Sequence, residues 1–171
     1  MKRAYFLSGE PGCGKTTIIK KVLDRVGKST GGFYTEEIRR QGIRQGFQIV
    51  TLDGQIAVMA HTGISSHYRV GKYGVDIGSI DRVAAPAVKE AILSYDIVII
   101  DEIGKMELFS SNFRDAVLEA LESEKKVLGT IMLAAHPWAD EIKRRDEVKT
   151  VRVTRANRNE VVDQILLWLG E

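Results

Sequence analysis

The sequence predicts an α/β fold, a mostly parallel sheet with helices on both faces that carries an antiparallel hairpin insert. Apolar runs of strand length alternate with stretches whose apolar residues recur at helical spacing, the pattern of a sheet covered on both sides. The first such run leads through "GEPGCGKTT", Gly9 to Thr17, straight into a helical pattern. From Gly32 to about His61 the alternation stops and the chain reads as extended segments broken by glycine turns. With 171 residues, 44% hydrophobic and 28% charged, the chain is sized for one domain, 1–171, with residues 32–61 as the insert.

The strands expected for the parallel part are Ala4 to Leu7, Ile97 to Ile100, Val127 to Met132 and Val148 to Val153. Helices are expected over Thr16 to Val26, where Ile18, Ile19, Val22, Leu23 and Val26 fall on one face, and over Ala85 to Leu93, Asn112 to Leu121, Trp138 to Arg145 and Arg158 to Leu169. The insert is rich in Ile, Val and Thr, and the Asp53-Gly54 pair between two extended runs is a strong hairpin signal.

Charge and cysteine content narrow the function. Lys and Arg number 25 against 23 Asp and Glu, a net charge of +2, which lacks the one-sided basic field of a protein that lives on nucleic acid. A single cysteine, Cys13, rules out an internal disulfide. The start of the chain lacks the charged, apolar and small-residue zones of a secretory signal, and the apolar runs are short for a bilayer, so a cytoplasmic protein is expected.

The opening stretch carries the most specific chemistry. Gly9, Gly14, Lys15 and Thr16 fit GxxxxGK[ST], a loop whose backbone N–H groups point inward around phosphates while the following helix offers its positive end. All nine loop residues, Glu10, Pro11, Gly12, Cys13 and Thr17 included, are candidate nucleotide contacts. Lys15 is placed to reach the β- and γ-phosphates and the Thr16 hydroxyl to ligate Mg²⁺. Cys13 near a helix start favours a thiolate, although any small residue fits there.

"DIVIIDE" is an apolar run ending in Asp101 and Glu102, which is how a buried parallel strand presents carboxylates at the sheet edge where ligands bind. Asp101 is the candidate for the Mg²⁺ shell, and Glu102, on the other side of the strand by simple alternation, for polarising an attacking water. A plain carboxylate pair at a strand end is the rival reading. Thr130 inside "VLGTIM" is either a hydroxyl facing the γ-phosphate or an ordinary β-branched strand residue. Lys105 either steadies transition-state charge or is a solvated lysine, and Arg69 and Lys72 of "HYRVGKYG" either act as a cis arginine finger or form a charged loop. Asn157 and Arg158 open the last helix, where they contact a nucleobase or simply cap the helix.

Together "GEPGCGKTT", "GGFYTEEIR", "RVGKYGVD", "DEIGKMELF" and "VTRANRNE", in this order and at these separations, resemble the small nucleoside-triphosphatase family of thermophilic bacteria and archaea, whose human counterpart is the cancer-related nucleoside triphosphatase. The resemblance spans nearly the whole chain, and "DEIGKMEL" is far more specific than a phosphate loop. It implies a P-loop fold related to the RecA-like class and slow, Mg²⁺-dependent hydrolysis of ATP, GTP, CTP and UTP with little choice of base. The phosphate loop and the Asp101–Glu102 pair carry over without departure, whereas "LAAHPWADEIKRRDE" matches no motif. A monomer is expected. Two other functions share these features. A nucleoside or nucleotide kinase differs only in its acceptor, and a nucleotide-timed binding module would use Arg39, Arg40 and Arg44 of "EIRRQGIRQG" as a basic contact surface, against the plainer reading of a charged hairpin edge.

Overall fold

A computed structural model describes residues 2–170. Its strands are β1 (Ala4–Ser8), β2 (Thr30–Arg40), β3 (Ile43–Thr51), β4 (Ile56–His61), β5 (Arg69–Val70), β6 (Tyr73–Val75), β7 (Ile97–Ile103), β8 (Lys126–Ile131) and β9 (Val148–Arg152). They form one nine-stranded sheet in the order β5-β6-β4-β3-β2-β7-β8-β1-β9. From β2 to β9 the pairing is parallel; from β2 outward through β3, β4, β6 and β5 it is antiparallel.

The apolar runs of β1 and β7 follow from burial on both faces. Ala4, Phe6, Val98 and Ile100 enter one core, and Tyr5, Leu7, Ile97 and Ile99 the other, alternating as a pleated strand must. The second core is closed by α1 (Lys15–Arg25) and by α6 (Arg158–Leu169), through residues such as Ile18, Ile19, Val161 and Ile165. The first is closed by the helical run from α2 (Ile77–Ser79) through a π turn (Ile80–Ala84) into α3 (Ala85–Ser94), with α4 (Ser111–Glu122) and α5 (Pro137–Lys143). Helices therefore lie on both faces, as expected, and the strands and helices expected for the parallel part fall close to their expected bounds.

The hairpin segment differs in extent from the expected 32–61. β2 is at once the parallel partner of β7, with Thr30 opposite Ile97 and Phe33 opposite Ile100, and the antiparallel partner of β3. The antiparallel strands are thus a continuation of the main sheet, and they run on past His61 to Val75. The extra strands escape the sequence reading because they are two and three residues long. Among the described residues, no helix is long and apolar enough to cross a membrane.

Candidate active site

Strand order places the chemistry. β8 lies between β1, which leads into the phosphate loop, and β7, which ends in the acidic pair, so three neighbouring strands deliver their C-terminal ends to one edge. The loop wraps from Ser8 to α1 and turns through Gly14, whose φ of 102° lies in the left-handed region that glycine adopts without strain. Lys15 donates from Nζ to the Gly9 carbonyl at 2.7 Å and to the Glu10 carbonyl at 3.3 Å, which folds it back across the loop it belongs to.

Asp101 is 2% exposed and accepts two hydroxyl hydrogen bonds, from Thr16 Oγ1 at 2.8 Å and from Thr130 Oγ1 at 2.6 Å. Burial pushes its carboxyl up, while those two hydroxyls and Lys15 oppose the shift. Glu102 is raised as well, by burial first and by the neighbouring Asp101 charge second. Simple alternation would send two consecutive residues to opposite faces. Here the β7–β8 register is irregular between Ile100 and Ile103, and both carboxylates line the same cleft.

That cleft has a volume of about 1020 Å³ and is bounded by the phosphate loop, the acidic pair and the antiparallel extension. Gly9, Glu10, Pro11, Gly12, Gly14, Lys15, Thr16 and Thr17 form its floor. The rest of the lining, from Thr35, Arg44, Phe47, Val70, Tyr73, Met106 and Met132, comes together only once separate segments are folded against one another. Leu133 and Ala134 of the unmatched segment also reach the cleft, and His136 behind them caps α5 by accepting from the Trp138 N–H.

Several sequence candidates lie elsewhere. Thr130 is fully buried behind Asp101 and orients that carboxylate instead of facing the cleft. Cys13 is packed into the core beneath the loop with Ile18 and Val153. Asn157 accepts from the Thr154 N–H and donates to the Arg152 carbonyl, both at 2.8 Å, so its amide knits the turn before α6. Arg158 does approach the loop, with its side chain 3.7 Å from where a Cβ on Gly14 would stand. Lys105 is exposed on the turn after β7, outside the cleft lining. Arg69 braces its own loop through the Ile64 and Lys72 carbonyls.

The arginine that lines the cleft is Arg44. It donates to Tyr73 Oη at 2.8 Å and to Glu37 at 3.3 Å, and stacks against the Phe47 and Tyr73 rings. Arg39 pairs with the same Glu37 at 2.7 Å, so two of the three arginines proposed as a basic surface share one carboxylate.

A phosphate loop and an acidic strand end meeting across one cleft identify the architecture. The family model described as NTPase matches residues 4–166. The chain belongs to the NTPase family. It is 44% identical over 160 residues to the nucleoside-triphosphatase THEP1 of Thermotoga sp. (strain RQ2), covering 94% of this chain and 91% of that one. It is 41% identical over 182 residues to the human cancer-related nucleoside-triphosphatase, covering 97% and 96%. Among solved structures, THEP1 of Aquifex aeolicus superposes with a TM-score of 0.90 at 36% identity, over 98% of this chain and 99% of that one. The solution structure of the human protein gives 0.82 at 38%, over 99% and 97%. The fold is the P-loop NTPase-like α/β fold of that family.

Proposed function

We propose that this NTPase-family chain hydrolyses nucleoside triphosphates to diphosphate and phosphate, slowly, with Mg²⁺ and with little choice of base. The observation that carries the reading is the joint presence of Lys15, the Thr16–Asp101 pair and Glu102 in one cleft. The residues present suit Mg²⁺. Thr16 and Asp101 offer hard oxygen donors, and among the described residues no group of three His, Cys, Asp or Glu forms a cage of its own, which suits an ion that keeps its waters and takes phosphate oxygens. Thr16 and Asp101 would hold the ion, which would supply charge neutralisation for the bound triphosphate.

The chain's own residues do the rest. Loop N–H groups and Lys15 hold the phosphates. Glu102 takes a proton from water as its oxygen attacks the γ-phosphorus, and the bridging oxygen leaves with the diphosphate. Slow turnover accords with Arg44 being engaged by Glu37 and Tyr73 instead of free to meet the γ-phosphate. Weak base choice accords with the occupied amide of Asn157. A cytoplasmic monomer completes the reading, for which a single buried free cysteine is apt.

Glu102→Gln tests it. The variant keeps shape and leaves the Thr16–Asp101 pair alone, so triphosphate affinity by calorimetry stays near wild type while phosphate release falls roughly 10²- to 10⁴-fold, the range for a lost general base. Hydrolysis at the wild-type rate would mean that the base lies elsewhere or that the acceptor is not water.

A further inference from the structure

The turn after β7 places two carboxyl groups against the same glycine. A Cβ at Gly104 would meet Glu102 Oε1 at 2.9 Å and Glu107 Oε1 at 3.0 Å, so both acids pack over a residue that has no side chain to separate them. Their surroundings differ. Glu102 lines the cleft, whereas Glu107, in the 3₁₀ turn Glu107–Phe109, is 3% exposed. Among the described residues no lysine, arginine or histidine forms an ion pair with Glu107.

The charged groups that bear on Glu107 are Glu102 and Asp101, both acidic. Lys15 bears on those two instead. A carboxylate out of water, facing two others and lacking a cation, is costly, and such a group escapes by keeping its proton. Burial first, and the Glu102 charge second, hold Glu107 well above the usual carboxylic range, although hydrogen bonds from the Glu107 and Glu102 backbone oppose the shift. A neutral acid has one O–H to donate, and the strongest acceptor beside it is the Glu102 carboxylate.

We propose that Glu107 is a positioning residue for hydrolysis: as a neutral acid it donates a hydrogen bond to Glu102 and fixes that carboxylate toward the attacking water. The inference rests on Glu102 being the base. The proton lost by water goes to Glu102, the γ-phosphorus gains the water oxygen and loses the bridging oxygen, and Glu107 keeps its own proton throughout.

The test uses the full chain with ATP and Mg²⁺ and reads kcat, KM and nucleotide affinity by calorimetry, with melting curves as a check on folding. Glu107→Gln keeps a neutral donor, and its kcat should stay within about threefold of wild type. Glu107→Leu keeps bulk without a donor, and its kcat should fall roughly 10- to 100-fold, the range for losing the partner that orients a working group, at unchanged nucleotide affinity. Should the leucine variant lose its melting transition, Glu107→Met serves as a more pliable donor-free substitute. In a Glu102→Gln background the donor-free change should have no further effect, because it acts through Glu102. A donor-free variant at the wild-type rate overturns the proposal. So does a glutamine variant as slow as the donor-free one, a loss of affinity alongside rate, or an added loss in the Glu102→Gln background. Glu102→Gln hydrolysing normally would instead remove the underlying assignment of the base.

Discussion

Thr16 and Asp101 lie 85 positions apart in the chain and meet in a 2.8 Å hydrogen bond, donated by the threonine hydroxyl at the start of α1 to the buried carboxylate at the end of β7. The helix and the strand are thereby held to each other at the proposed metal position. Thr130 donates to the other carboxylate oxygen at 2.6 Å, so both oxygens of Asp101 are engaged. Asp101→Asn replaces one acceptor oxygen with a donor and breaks this arrangement. It should lower affinity and rate together, on the order of 10- to 100-fold, and shift the Mg²⁺ dependence of phosphate release to higher concentration. An unchanged Mg²⁺ titration would show that Asp101 does not serve the metal.

Lys15→Ala removes the loop side chain expected to reach the β- and γ-phosphates. Its hydrogen bonds to the Gly9 and Glu10 carbonyls show that it lies over the phosphate cradle. Losing a well-placed cation from a developing negative charge should cost on the order of 10²-fold or more in rate, with weaker triphosphate binding. Normal ATP hydrolysis by this variant would place the active site elsewhere.

The parts of this site that the sequence makes legible are those in which one continuous stretch carries both geometry and chemistry. The phosphate loop is nine consecutive residues between a strand and a helix, and the acidic pair closes an apolar run; both are where they were expected. The far wall of the cleft is not legible, because Arg44 and Phe47 of β3 and Tyr73 of β6 are far apart in the chain and meet only through the antiparallel register. Asn157 and Thr130 were located correctly on their elements, but which atoms their side chains engage depends on neighbours far away in sequence or on local turn geometry. Glu107 lies within "DEIGKMEL", but its residue type carries no sign of burial. It sits in "KMELF", where a glutamate reads as surface, and its burial follows from how the turn after β7 packs.

Base choice should be weak. In the proposed reading backbone N–H groups and one lysine hold the phosphates, Asn157 is engaged in its own turn, and the Arg158 side chain lies beside Gly14 of the loop. ATP, GTP, CTP and UTP should then fall within about one order of magnitude in kcat/KM, and Arg158→Ala should lower all four in parallel. A preference for one nucleotide that the Arg158 variant abolishes would mean that this residue does contact the base.

Glu107 should also make stability depend on pH in a direction set by its shift. Its folded-state proton affinity is raised above the ordinary value of 4.5, so the folded protein holds that proton over a pH range in which the unfolded chain has lost it. The contribution is therefore fully present below about 4.5 and is lost as pH rises toward the folded value, with a slope of at most about 1.4 kcal/mol per pH unit for one proton. Glu107→Gln is neutral at every pH and escapes this loss, while Asp101 and Glu102 contribute with the same sign to both proteins. In paired thermal denaturations from pH 4 to pH 8, the glutamine variant should gain on the wild type steadily above pH 4.5 and then level off. A constant difference across the range would show that Glu107 ionises in the folded protein as an exposed glutamate does.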